Sequence, residues 1–139
     1  MKRWLIPVIG AIVVVIPATA IHYVSKAEAL KKREAAYQST LQAYSKDLRP
    51  GLTRKNVEDY FRTKNISFAQ MCCVEGRSAF ADLVKVGQED APWYRGENYV
   101  YVAFEFVNVE PDPPLIPWMP HDSDLLTKAS IFRQLLDCL

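Results

Sequence analysis

The order of apolar and polar positions divides the chain into three stretches. Trp4 to Val24 is a run of 21 residues without a charge, directly behind Lys2 and Arg3. At roughly 1.5 Å per helical residue it covers about 30 Å, the hydrocarbon thickness of a bilayer. Trp4 and Tyr23 stand near its two ends, the depths that amphipathic rings prefer at a membrane interface. From Ser25 to Leu48 there is neither Gly nor Pro, and the abundant Ala, Lys, Glu and Gln are compatible with helix. Leu30, Tyr37, Leu41, Tyr44 and Leu48 recur there at helical spacing, which predicts one apolar stripe packed on the chain's own domain or on a second copy.

Arg49-Pro50-Gly51 ends that helix, with Gly51 supplying a left-handed turn. Thr53 is an N-cap candidate for the next helix, and Leu52 and Val57 occupy the two positions of a hydrophobic staple. The spacing turns Val57, Tyr60 and Phe61 inward and Arg54, Lys55, Glu58, Asp59 and Arg62 outward, with an end near Lys64-Asn65. Beyond it the pattern becomes strand-like, from Ile66 to Val74 and from Phe80 to Val86, where Asp82 and Lys85 interrupt the apolar residues. Tyr99 to Val109 alternates most cleanly. It sets Val100, Val102, Phe104 and Phe106 on a core face and Tyr99, Tyr101, Ala103 and Glu105 on the other. Residues 110–122 hold five of the nine prolines, which predicts an extended connection outside any ladder. The tail fits a helix through Leu125, Ala129, Phe132 and Leu136, or a strand through Ala129, Ile131 and Leu135.

The expected class is α+β: an N-terminal transmembrane helix continuing into an amphipathic helix, a second short helix, and a three- to four-stranded antiparallel sheet. Residues 1–25 form the membrane anchor or signal peptide and 26–139 one small domain. Ala18-Thr19-Ala20 also fits a signal-peptidase site, so secretion after cleavage near Ala20 is the alternative to a retained anchor. No Cys lies near Ala20, so a lipid-modified terminus is not expected.

Charge is uneven although its sum is +1. Residues 26–64 carry ten Lys/Arg against five Asp/Glu, and residues 65–139 five against eleven. Lys26, Lys31, Lys32 and Arg33 outnumber Lys2 and Arg3, and by the positive-inside rule that imbalance opposes export of the C-terminal domain. A short basic stretch before an apolar one favours export, and the domain is expected on the extracytoplasmic side.

Of the three cysteines, Cys72 or Cys73 could bridge to Cys138 in an oxidising compartment. Adjacent cysteines lack the spacer of a zinc knuckle, and neither His22 nor His121 has a His at helical spacing, so no metal or cofactor is expected. Basic residues close to the membrane segment and acids around the aromatic strand give no footprint for nucleic acid.

The run Leu48-Arg49-Pro50-Gly51-Leu52-Thr53-Arg54-Lys55-Asn56-Val57-Glu58 resembles the opening of the SmpA/OmlA, or BamE-like, small envelope domains. The resemblance implies two helices against a three-stranded antiparallel sheet, a closing strand at 127–138, and an exported scaffold or assembly factor without catalysis. The family's lipoprotein Cys is missing, and Phe80 to Gly96 has no counterpart. Other stretches, such as Val57-Glu58-Asp59-Tyr60 and Ala91-Pro92-Trp93-Tyr94, resemble small bacterial membrane-anchored proteins to which no activity attaches.

The leading expectation is a membrane-tethered, non-catalytic envelope module. It would contact the bilayer through residues 4–24, another envelope protein through Trp93, Tyr94, Trp118 and Met119, and a second copy through residues 26–48. The alternative is a thiol-dependent enzyme or redox protein using Cys72 or Cys73 with His121 and Asp122, which needs a thiolate within about 3 Å of a base. A pilin-like subunit lacks its Gly-Phe processing site and early Glu.

Overall fold

The structure, a computed structural model, describes residues 5–72, 80–91, 96–109 and 119–135, with side chains from Tyr23 to Gln134. Trp93, Tyr94, Trp118, Cys73, Cys138, the 110–118 part of the Pro-rich connection, and the side chains of residues 1–22 lie outside the described residues. The chain divides into two compact units, Met1–Ala36 and Tyr37–Leu139.

Helix α1 spans Leu5–Asp47, 43 residues without a break at Val24-Ser25. Among the described residues no helix is long and apolar enough to cross a membrane; the side chains of most of the uncharged run are not among them. In the first unit Tyr23, Val24 and Leu30 are exposed. Leu30, at 48% exposure, therefore does not belong to the packed stripe. That stripe starts at Tyr37 and continues through Leu41, Tyr44 and Leu48, the last three packing into the main core of the second unit.

Gly51 adopts φ +94, a conformation open to glycine and strained for other residues. Helix α2, Arg54–Thr63, follows with Thr53 as its N-cap, the hydroxyl accepting from the Asn56 N–H at 3.3 Å. Its earlier amides are also satisfied: Arg54 N–H donates to the Asp124 carbonyl at 2.7 Å and Lys55 N–H to that of Asp122 at 3.1 Å. Leu52 and Val57 both join the main core.

Four antiparallel strands follow in sequence order across one sheet: β1 Ala69–Cys72, β2 Phe80–Glu89, β3 Asn98–Val107 and β4 Leu125–Leu135. The ambiguous tail is a strand. Its alternation is broken because Phe106 pairs with Leu126 and Glu105 with Lys128, leaving Thr127 as an extra residue. A second bulge leaves Val86 unpaired between Lys85 and Gly87.

Phe61 and Phe104 sit at the centre of the core, ring centroids 5.0 Å apart, with Tyr44 edge-on to Phe104 at 5.6 Å and Phe68 against Phe61 at 5.3 Å. Val100, Val102, Phe104 and Phe106 are buried on this side, as their alternation predicts. The opposite side is not simply solvated: Ala81, Leu83 and Ala103 are buried there, with Met71, Tyr101 and Phe132 around them, and Glu105 is buried beside Lys128 and Ser130.

Strand β1 begins three residues later than the Ile66 start that composition suggests. Asn65 takes a left-handed φ of 54, Ile66 N–H donates to the Phe61 carbonyl at 2.8 Å, and Phe68 packs on Phe61. Residues 66–68 are thus held by α2 and meet the sheet only at Ala69. Strand β2 runs three residues past its predicted Val86 end, to Glu89.

Candidate functional site

Two places in the second unit concentrate polar chemistry or open space. The first is a buried charge cluster around Arg54, which the helical periodicity placed outside. Arg54 is the first residue of α2, and the amide bonds of Arg54 and Lys55 to the chain at Asp122–Asp124 press that turn onto the sheet. The guanidinium is 2% exposed. Its Nη1 donates to Asp82 Oδ1 at 2.5 Å, Nε to Asp124 Oδ2 at 3.2 Å and Nη2 to the Phe80 carbonyl at 3.1 Å. The Phe106 ring lies 4.0 Å from the guanidinium carbon. One planar fork therefore ties α2 to β2 and to the approach of β4.

Asp124 Oδ2 also accepts from the His121 N–H at 2.9 Å, which closes the turn before β4. Glu58, likewise expected outside, is buried one helical turn after Arg54. It accepts from Arg62 Nη2 at 2.6 Å and from Gln70 Nε2 at 2.9 Å, joining α2 to β1. Its surface position in the helical pattern is overridden by the short strand beside it.

Asp82 is fully buried, and its second oxygen, Oδ2, meets no hydrogen-bond partner, nor does Asp124 Oδ1. Burial pushes the Asp82 carboxyl up from 3.8 to about 6. Arg54 pulls the other way by charge and hydrogen bond, while the Glu58 and Asp124 charges add to the rise. The cluster is a clamp within the fold, with its charges turned to each other. A signal for it existed in the sequence: Asp82 alternates with Val84 on the core side of β2, and a carboxylate there needs a buried cation.

The second place is an open cleft of about 390 Å³ where β1 begins. Tyr44 of α1, Ile66, Ser67 and Phe68 before β1, Val84 and Lys85 of β2 and Tyr101 of β3 are among its walls, which include no carboxylate, imidazole or thiol among the described residues. Burial raises the Tyr44 phenol above its usual value of 10.0. The Lys85 ammonium stands 3.6 Å from the centre of the Tyr99 ring, and no carboxylate among the described residues pairs with it.

The remaining sequence candidates are scattered. Met119 is 54% exposed. Cys72 is disulfide-bonded at the end of β1. His121 lies in the turn before β4, the strand at the other edge of the sheet from β1. Among the described residues no group of three or more His, Cys, Asp or Glu is placed to hold a metal ion.

Fold and site together define a two-layer α+β domain, helices over one face of a four-stranded antiparallel sheet, clamped by a buried arginine. No protein-family model, no curated protein and no solved structure matches the chain.

Proposed function

We propose that the protein is a membrane-tethered, non-catalytic module of the cell envelope that binds another protein. Residues 4–24 lie in the bilayer and the domain stands on its extracytoplasmic side. The observation that carries the binding role is the cleft beside β2: mainly apolar and aromatic walls, one lysine at the side, and no carboxylate, imidazole or thiol lining it among the described residues. The uncharged run and the unbroken helical backbone from Leu5 to Asp47 support the tether. The resemblance of residues 48–58 to small envelope scaffold domains points the same way. The disulfide at Cys72 suits an oxidising compartment and leaves that sulfur without a nucleophilic role in this state.

Protease protection in spheroplasts, read together with intact mass, tests the address. The expected result is an uncleaved chain that a protease outside the inner membrane reduces to a protected fragment ending near Val24. A full-length chain released with the cytosol overturns the proposal. Photo-cross-linking from positions spread over the domain in intact cells tests the partner, and the absence of any protein adduct from every position removes the binding role.

A further inference from the structure

From the shape of the sheet edge we infer that an extended acidic segment of a partner protein adds as a strand along β2 between Val84 and Glu89, next to the cleft. The inference rests on the binding role proposed above and names its surface and partner chemistry. Strand β1 pairs only with Phe80–Leu83, four of the ten residues of β2. Among the described residues nothing pairs with the outer edge of the next six. Backbone N–H and C=O groups along a strand edge are satisfied by another extended backbone, and six residues at 3.3 Å present about 20 Å of such edge. The local cause of the gap is α2, which holds residues 66–68 away from β2. An incoming strand would continue the line of β1, with an apolar side chain entering the cleft between Tyr44, Phe68 and Val84.

Charge selects the occupant. Lys85 is the second residue of this edge, beside the cleft, exposed and without a carboxylate partner among the described residues. Two copies of β2 paired antiparallel over Val84–Glu89 set Lys85 opposite Gln88, so a second copy offers its ammonium no carboxylate directly across. A glutamate or aspartate from a different chain is attracted instead. The edge of β4 past Leu126 also has no strand beside it among the described residues, but Lys128 and Arg133 are already held by Glu105 and Glu89. The bulge at Val86 bends the β2 edge and excludes long flat strands, which favours a short segment.

The test uses the full-length chain in lipid nanodiscs, ¹⁵N-labelled, titrated with an acetylated Val-Glu-Val-Glu-Val-Glu-Val peptide and with its lysine counterpart. The expected result is amide shifts centred on Val84–Glu89 and Ala69 with the glutamate peptide and at least about fivefold weaker binding of the lysine peptide, the ratio that ~1 kcal/mol from an exposed ion pair produces. Lys85→Glu weakens the glutamate peptide by a similar factor and Lys85→Arg retains it. Shifts centred on β4, equal binding of the two peptides, or no binding overturns the inference. Photo-cross-linkers at Ser67 and Gln88 separate it from the broader reading. A partner captured only from positions on other faces removes the β2 edge and leaves the binding role standing.

Discussion

Replacing Asp82 by asparagine probes the clamp through its dependence on pH. In the native chain the Asp82 carboxyl is raised from 3.8 to about 6, with burial as the largest cause. Below about pH 4 both folded and unfolded chains hold the proton, and the favourable contribution is fully present. As pH rises from about 4 to about 6 the unfolded chain releases its proton while the folded chain keeps it, so this contribution is lost; above about 6 the loss is complete. At 1.36 kcal/mol per unit, a shift of about two units is worth about 3 kcal/mol. Asp82→Asn keeps an oxygen for the Arg54 Nη1 hydrogen bond and cannot ionise, so it lacks this term. The measurement is urea unfolding of both chains in the same detergent from pH 4 to pH 7.5. The difference between the two stabilities cancels the titrating groups that do not interact with Asp82. Asparagine should gain on aspartate by about 3 kcal/mol between pH 4 and pH 7, the whole change falling between those two pKa values. A difference that is flat, or in which aspartate gains as pH rises, refutes the argument and means that Arg54 matches or outweighs burial.

Gly87 faces Tyr37, and a Cβ added there lies 2.6 Å from the phenol oxygen and 2.7 Å from Cε1. Gly87→Ala should cost about 1–3 kcal/mol in urea unfolding, with Tyr37→Leu in the same chain recovering part of it; no measurable cost means that the helix yields freely. Thr53→Ala removes the hydroxyl that accepts the Asn56 N–H and should cost about 1 kcal/mol, whereas Thr53→Ser should be near neutral. The Tyr60 phenol donates to Asp47 Oδ2 at 2.8 Å, and that hydrogen bond, followed by burial and the Asp47 charge, raises it from 10.0 to about 12. NMR of the tyrosine ring carbons should find it protonated at pH 11 in the native chain, and Asp47→Asn should bring its titration back toward 10.

The sequence was legible where one local cause acted alone. Gly51, Thr53 and Val57 took their expected parts because a left-handed turn, a cap and a staple each depend on a few adjacent residues. The alternation of Val100, Val102, Phe104 and Phe106 survived because β3 is paired on both sides and has no freedom of register. Reading failed where contacts distant in sequence decided the outcome. Arg54 looks like a surface residue on a helical wheel, and its burial follows from Asp82, 28 positions later, and Asp124, 70 positions later. The tail is the strand that the resemblance implied, although its own pattern also fitted a helix because the extra residue at Thr127 breaks the two-residue period that identifies a strand. The open edge of β2 could not be read either, since the short extent of β1 depends on Ile66 staying bonded to α2.

The clamp and the open edge have a common origin in the placement of α2. At its start, Arg54 binds the helix to β2 and to the turn before β4, and Gly51 and Leu52 exchange backbone hydrogen bonds of 2.8 Å with Leu126. At its end, Ile66 and Phe68 remain attached to Phe61. With both ends fixed, a helix of ten residues at 1.5 Å each sets how far along β2 the chain has moved when it reaches the sheet. It arrives opposite Leu83 and leaves the rest of the strand uncovered. Loosening the start of the helix should therefore alter the far edge: Arg54→Met, which removes the guanidinium but keeps much of the apolar stem, should speed amide exchange at Ala69–Cys72 as well as at Asp124–Leu126. Faster exchange confined to Asp124–Leu126 would mean that the two ends of α2 are held independently, and that the gap beside Val84 belongs to the Phe61 contacts alone.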